Sequence, residues 1–194
     1  KANCLGLFMS DAMTECLELL RRDYDLVLLD APPVFAMTDA RTGLPADNIS
    51  ASLAAADRSG YTSPTNIGGY LWSTIVARDL GLINAGECTR RLVQTLKTVL
   101  RMQHHTPSGM YYNWYDEATA EVITTWPGSG DRVYPFLSSV DNGWLGAALR
   151  VVMGADAGAA PLARRIFERM RWDMFYDTHV ALKPGLIHGG FYDA

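Results

Sequence analysis

The sequence predicts a mainly α-helical fold, in which two helix pairs follow a short α/β segment. Three observations support this prediction. Apolar residues recur with helical spacing in four segments between residues 63 and 172. Beyond residue 40, no segment shows the alternation of apolar and polar residues that is typical of a half-buried strand. Before residue 40, the continuous apolar run at residues 26–29 is typical of a buried parallel strand.

Residues 1–40 are expected to form a helix–strand unit, with the helix at residues 10–22. Residues 24–34 (YDLVLLDAPPV) resemble the second nucleotide motif of bacterial tyrosine kinases involved in capsule and exopolysaccharide export. That resemblance matches Asp30 to an aspartate that contacts magnesium. The chain has no GxxxxGK[ST] loop to hold phosphates, so we expect no ATP binding. The change of character near residue 40 indicates a gene fusion or an artificial join.

Residues 41–194 carry the predicted helices. Ser63 is a good N-cap, and Pro64 is tolerated in the first turn, so the first helix begins there. The four helices are expected at residues 63–81, 85–103, 142–152 and 161–171. Residues 42–63 and 173–194 are expected to be loops. The long loop 104–140 is aromatic and polar, and long loops in compact domains are usually functional.

Four motifs follow one another in the second part of the chain. They are residues 42–48 (TGLPADN), 61–68 (YTSPTNIG), 109–116 (GMYYNWYD) and 135–144 (PFLSSVDNGW). Together they resemble the glucoamylase-like domain family, which is similar to the endo-β-1,2-glucanases and to a domain of cyclic β-1,2-glucan synthases. The resemblance implies a partial (α/α)6 toroid of about two helical hairpins. It also implies an incomplete, inactive fragment of a periplasmic, extracellular or cell-envelope protein.

Asp141, in the fourth motif, is the candidate catalytic residue. Glycoside hydrolysis requires two carboxyl groups that flank the scissile bond. An aspartate where a helix begins, with an asparagine and a tryptophan beside it, suits one of these carboxyl groups. The alternative is a plain N-cap, because an aspartate before a helix satisfies free backbone N–H groups. The second carboxyl group is not assigned.

Polar and aromatic residues in or next to loops are the candidates for sugar binding, because aromatic rings pack well on the C–H faces of sugars. These candidates are Asp47, Asn48, Asn66, Tyr112, Trp114, Asp116, Trp126, Asn142 and Trp144. An Asx turn is the alternative for Asp47 and Asn48, and a turn at a loop tip is the alternative for Asp116.

Composition and charge exclude several classes of function. The formal net charge is -4 and no basic stripe is present, so we expect no nucleic-acid partner. No apolar run reaches the roughly eighteen residues of a membrane span. Cysteines and histidines lack metal-ligand spacing, so we expect no metal and no cofactor. The favoured partner is an oligo- or polysaccharide, a β-1,2-glucan above others. A non-catalytic glycan-binding or scaffold module of a cell-envelope polysaccharide protein is the alternative, and the oligomeric state stays open.

Overall fold

The computed structural model describes residues 36–50, 52–177 and 185–193, all of which belong to one compact unit. The expected helix at residues 10–22, the expected strand at 26–30 and the tyrosine-kinase-like motif lie outside the described residues. Within the part that is described, no helix has the length and apolar character needed to cross a bilayer.

Four helices of the described residues form two consecutive hairpins, which confirms the predicted mainly α-helical fold. They are α1 (Pro64–Asp79), α2 (Ala85–Arg101), α3 (Ser139–Ala155) and α4 (Ala160–Phe167). Short connections at residues 80–84 and 156–159 join the two helices of each pair. The helices α2 and α4 end before the predicted residues 103 and 171, and a 3-10 turn at Trp172–Phe175 follows α4.

Serine and asparagine side chains cap α1, α2 and α3 at their N-termini. Ser63 accepts a hydrogen bond from the backbone N–H of Asn66, which confirms the predicted start of α1. The prediction that the third helix begins after Asp141 is wrong. That helix begins at Ser139, because Ser138 Oγ accepts from the backbone N–H of Asp141 at 3.1 Å. Asp141 therefore lies inside the first turn, and the N-cap role belongs to Ser138.

The helices α1 and α3 pack side by side and run parallel. Near their N-termini the backbone of Gly68 approaches that of Trp144, and at their C-termini Arg78 Nη1 donates to Ala155 O at 2.8 Å. At both ends, the two contacting residues are separated by almost the same number of positions in the sequence. This occurs only when two helices run parallel. A Cβ atom on Gly68 would lie 2.9 Å from the Trp144 carbonyl oxygen, so the close approach requires glycine.

The other two helices form a second layer. The helix α2 packs against α1, and α4 packs against both α3 and α2. The core lies between the layers, where Leu92, Leu96, Leu145 and Leu149 are completely buried. Each buried leucine contributes about 2 kcal/mol to folding. Two parallel helices in one layer, each followed by a helix in the other, form a segment of a helical toroid.

Short strands connect the loops, and the prediction that no strand follows residue 40 is wrong. The strands are β1 (Tyr61–Thr62), β2 (Tyr115–Asp116), β3 (Phe136–Ser138), β4 (Tyr176–Asp177), β5 (Leu186–Ile187) and β6 (Gly190–Tyr192). They pair antiparallel as β1–β2, β3–β6 and β4–β5. Strands of two or three residues are too short to show alternation in the sequence. The strands β1 and β3 lead directly to the caps of α1 and α3, so these pairs position the loops around both helix N-termini.

Candidate functional site

Asp141 lies half-buried where the N-termini of α1 and α3 meet. Thr65, in the first turn of α1, donates a hydrogen bond from Oγ1 to Asp141 Oδ1 at 2.8 Å. The positive ends of two parallel helix dipoles lie at this position, which favours a negatively charged group. The sequence assigned no role to Thr65, because its partner belongs to the other helix pair.

Asn113 contacts the other oxygen of the same carboxylate. With its amide nitrogen facing Asp141, Asn113 donates to Oδ2 at 3.0 Å, and its amide oxygen accepts from Trp114 Nε1 at 3.2 Å. The Asp141 carboxylate thus accepts from two donors, one on α1 and one in the loop 109–116. We call Thr65, Asn113, Trp114 and Asp141 the carboxylate network.

Three aromatic rings surround one point beside this network. The Tyr61, Trp114 and Trp126 rings have centroids 5.1 to 5.4 Å apart, each pair packed edge to face. All three side chains are half-buried. We call them the aromatic cluster. The structure therefore brings together two of the predicted sugar-binding tryptophans, and it adds Tyr61, which sequence reasoning missed.

A second carboxylate reaches the first turn of α1 from the loop before it. Asn66 Nδ2 donates to Asp47 Oδ1 at 2.9 Å, and the exposed Asn48 donates to Asp47 Oδ2 at 3.2 Å. Because Asn66 directly follows Thr65, consecutive residues of α1 bind two carboxylates, those of Asp47 and Asp141. The predicted residues Asp47, Asn48 and Asn66 thus lie next to the carboxylate network.

Asn142 holds the aromatic loop against α3. Its side chain is completely buried, with Oδ1 accepting from Tyr111 N at 2.8 Å. Its Nδ2 donates to the carbonyl oxygens of Tyr111 and Ser138, both at 2.9 Å. These bonds use both amide N–H donors and one acceptor position of the amide oxygen. In the structure, this predicted sugar-binding residue therefore fixes the backbone of Tyr111, two residues before Asn113.

Two further candidates also have partners within the protein. Tyr112 is 6% exposed, and its hydroxyl donates to Asp193 Oδ2 at 2.6 Å. Burial, with the Asp193 carboxylate adding to it, raises the pKa of Tyr112 to about 12. Asp116 Oδ1 accepts from the backbone N–H groups of Ala118 and Thr119, at 2.8 and 2.7 Å. Asp116 therefore has the turn geometry that was its alternative.

Trp144 lies about one turn along α3 from Asp141, and its side chain is 39% exposed. A ring at this place is accessible from solvent on the same helix as the carboxylate. In the parts of the chain that the structure describes, no three His, Cys, Asp or Glu residues gather as a metal site requires.

An ion triad that the sequence did not reveal braces the loop before α1. Arg58 Nε contacts Glu117 Oε1 at 2.6 Å, and Arg58 Nη2 contacts Asp39 Oδ2 at 3.4 Å. Burial raises the pKa of Glu117. Burial also acts to raise the pKa of Asp39, but hydrogen bonds from the backbone of Thr42 and Arg41 lower it overall. The triad joins residues 39–58, which include Asp47, to the turn after β2.

The fold is a segment of a helical toroid, and it is similar to helical folds of known structure. The structure is similar to a glucoamylase-like protein from Bacteroides fragilis, with a TM-score of 0.57 and 15% identity over 76% of this chain and 35% of that one. It is also similar to an endo-β-1,2-glucanase from Chitinophaga pinensis in complex with sophorotriose and glucose. There the TM-score is 0.55, with 12% identity over 71% of this chain and 33% of that one.

One sequence relative points in the same direction. The chain is 38% identical over 91 residues to the cyclic β-(1,2)-glucan synthase NdvB of Rhizobium meliloti. The matched segment covers 47% of this chain and 3% of that protein. No family model matches the chain.

These similarities confirm the predicted resemblance to glucoamylase-like and endo-β-1,2-glucanase proteins, and with it the partial toroid. The chain spans about a third of the length of the two solved structures and a small part of the synthase. The tyrosine-kinase resemblance of residues 24–34 gains no support from these relatives. The boundary near residue 40 stays a prediction.

Proposed function

We propose that this chain carries part of a β-glucan-binding site of the glycoside hydrolase type, with β-1,2-glucan as the favoured ligand. One observation supports the proposal above others: the Asp141 carboxylate lies at two parallel helix N-termini, next to the aromatic cluster. A charged hydrogen-bond acceptor beside ring faces matches the two sides of a sugar, its hydroxyl groups and its C–H faces. The glucanase and the glucan synthase among the relatives also support the choice of ligand.

Each part of the site has a proposed task. The rings of Trp114 and Trp126 pack on sugar faces, while Asp47 and Asp141 accept hydrogen bonds from hydroxyl groups. Since Thr65 and Asn113 already donate to its two oxygens, Asp141 is arranged as an acceptor. This arrangement suits a catalytic base or a hydroxyl acceptor better than a proton donor.

Hydrolysis needs a second carboxyl group, and we assign none. We therefore propose that this chain alone binds glucan without turnover, as an incomplete hydrolytic site. The alternative is a glycan-binding module with no catalytic purpose. The observation that favours it is that the side chains of Tyr112, Asp116 and Asn142 already form hydrogen bonds within the protein. The two hypotheses differ in the contribution of Asp141 to glucan binding, because stacking of sugars on aromatic rings does not need a carboxylate.

Calorimetric titration with β-1,2-gluco-oligosaccharides, together with an assay for released reducing ends, tests the proposal. We expect saturable binding, weakened about tenfold by Asp141→Asn because a hydrogen bond to a charged group is lost. The matched control is Asp79→Asn, at the opposite end of α1, which leaves binding unchanged. Release of reducing ends that Asp141→Asn abolishes would overturn binding without turnover and show that the chain itself is catalytic. Binding that is unchanged in Asp141→Asn favours the non-catalytic module. The absence of binding overturns both hypotheses.

A further inference from the structure

Asn113 lies between the aromatic cluster and the Asp141 carboxylate and touches both. Its backbone N–H donates to Phe136 O at 2.8 Å, just before the cap of α3. Its amide contacts Trp114 Nε1 on one side and Asp141 Oδ2 on the other. The residue is thus held at its backbone and at both ends of its side chain.

Only one orientation of the amide satisfies both neighbours. Trp114 Nε1 can only donate, and an ionised carboxylate can only accept. The amide oxygen must therefore face Trp114, and the nitrogen must face Asp141. The indole N–H consequently selects the orientation in which Asn113 donates to the carboxylate. Without that N–H, the amide would be free to present its oxygen to Asp141 and repel it.

We infer that Asn113 is a positioning residue that couples the Trp114 ring to the Asp141 carboxylate. The inference rests on the proposed function, because the ring and the carboxylate are there the two halves of one sugar site. A carboxylate with only one donor retains rotational freedom about its side chain, and a ligand would have to restrict that freedom on binding. Asn113 removes it beforehand, and such preorganisation strengthens binding by lowering the entropic cost.

Thr65 and Asn142 complete this arrangement in different ways. Thr65 binds the other oxygen of Asp141 but has no contact that joins it to the aromatic cluster among the hydrogen bonds of the described residues. Asn142 fixes the backbone of Tyr111, two residues before Asn113, through a buried pair of hydrogen bonds. Among the side-chain hydrogen bonds of the described residues, Asn113 alone therefore joins a ring of the aromatic cluster to the Asp141 carboxylate.

Two substitutions separate the two contacts of Asn113. Asn113→Ala removes both. Asn113→Asp keeps an acceptor for the Trp114 N–H but replaces the donor to Asp141 with a like charge. We expect the hydrogen-bonded indole proton of Trp114, identified in NMR spectra by its loss in Trp114→Phe, to exchange rapidly in Asn113→Ala and slowly in Asn113→Asp. We expect both variants to bind β-1,2-gluco-oligosaccharides about tenfold more weakly than the wild type.

The matched control is Asn84→Asp, which keeps the cap of α2 far from the site and changes neither readout. Thermal unfolding shows whether each variant is folded. An indole proton that exchanges in Asn113→Ala as it does in the wild type overturns the inference. So does unchanged glucan binding in both Asn113 variants. A wild type that binds no glucan refutes the proposed function, and the indole proton then still decides whether Asn113 holds Trp114.

Discussion

Thr65 and Asp141 join the first turns of two parallel helices through one hydrogen bond, from Oγ1 to Oδ1 at 2.8 Å. The helices belong to consecutive hairpins, so this bond depends on how the hairpins pack. It also places the carboxylate relative to the loop before α1, where Asp47 binds the neighbouring Asn66. The packing of the two hairpins therefore also determines the geometry of the candidate site.

The hydroxyl of Thr65 is expected to matter more than its shape. Thr65→Val keeps the branched side chain but removes the donor to Asp141, so glucan binding should weaken about tenfold. Thr65→Ser keeps the hydroxyl and should bind within about twofold of the wild type. Calorimetric titration measures both. Equal affinities for Thr65→Val and the wild type would show that the bond from Thr65 to Asp141 does not contribute to glucan binding.

The approach of α1 to α3 is expected to tolerate no side chain at Gly68. Gly68→Ala places a Cβ 2.9 Å from the Trp144 carbonyl oxygen, and backbone cannot move as a side-chain end can. We expect destabilisation of about 1–3 kcal/mol. Gly69→Ala is the matched control, since no atom lies within 4 Å of its Cβ position, and it should stabilise the helix by about 1 kcal/mol. Urea unfolding measures both, and similar stabilities for the two variants would contradict the requirement for glycine at position 68.

Loss of the Asn142 amide is expected to be costly. Asn142→Ala leaves the buried N–H and C=O of Tyr111 without their partner, which costs roughly 2 kcal/mol or more. The exposed Asn48 has one side-chain donor bond, to Asp47, and Asn48→Ala should change stability by about 0.5 kcal/mol at most. Thermal unfolding compares the two variants. If Asn142→Ala were as stable as the wild type, Asn142 would not anchor the loop.

Alkaline pH is expected to destabilise the protein through Tyr112. The ordinary pKa of tyrosine is 10.0, and burial raises that of Tyr112 to about 12, so the folded state holds this proton more tightly. The stabilisation is complete below pH 10 and is lost as the pH rises toward 12, by about 2 kcal/mol.

Unfolding in urea at several pH values across this window measures the effect. Tyr112→Phe should show a smaller loss of stability over the same window, because phenylalanine has no proton to lose. The control is Tyr134→Phe, whose side chain is 58% exposed, and it should follow the wild type. Identical pH profiles for Tyr112→Phe and the wild type would contradict a role for the buried Tyr112 proton.

Helical periodicity was sufficient to predict the four helices, but not where α3 begins. Ser138, Ser139 and Asp141 are all plausible caps in the sequence. The choice of Ser138 follows from the pairing of β3 with β6, which matches Ser138 to Gly190. A strand partner so distant in sequence leaves no local signal, and this explains the error.

The sequence was sufficient to predict which types of residue form the site, but not which residues form hydrogen bonds with one another. Asp141, Trp114 and Trp126 stood out as a carboxylate and rings in loops. The donors Thr65 and Asn113 depend on parallel helix packing and on the path of a loop, neither of which the sequence shows. A signal for the structural task of Asn142 did exist, because it shares the helical spacing of the core residues Leu145 and Leu149.

Whether glucan binds at the aromatic cluster can be measured directly by an NMR titration that follows the indole N–H resonances as a β-1,2-gluco-oligosaccharide is added. We expect saturable shifts of Trp114 and Trp126, and little change at Trp72 in the middle of α1. The shifts should be reduced in Asp141→Asn. Resonances of Trp114 and Trp126 that stay in place at saturating oligosaccharide would contradict a glucan site at the aromatic cluster.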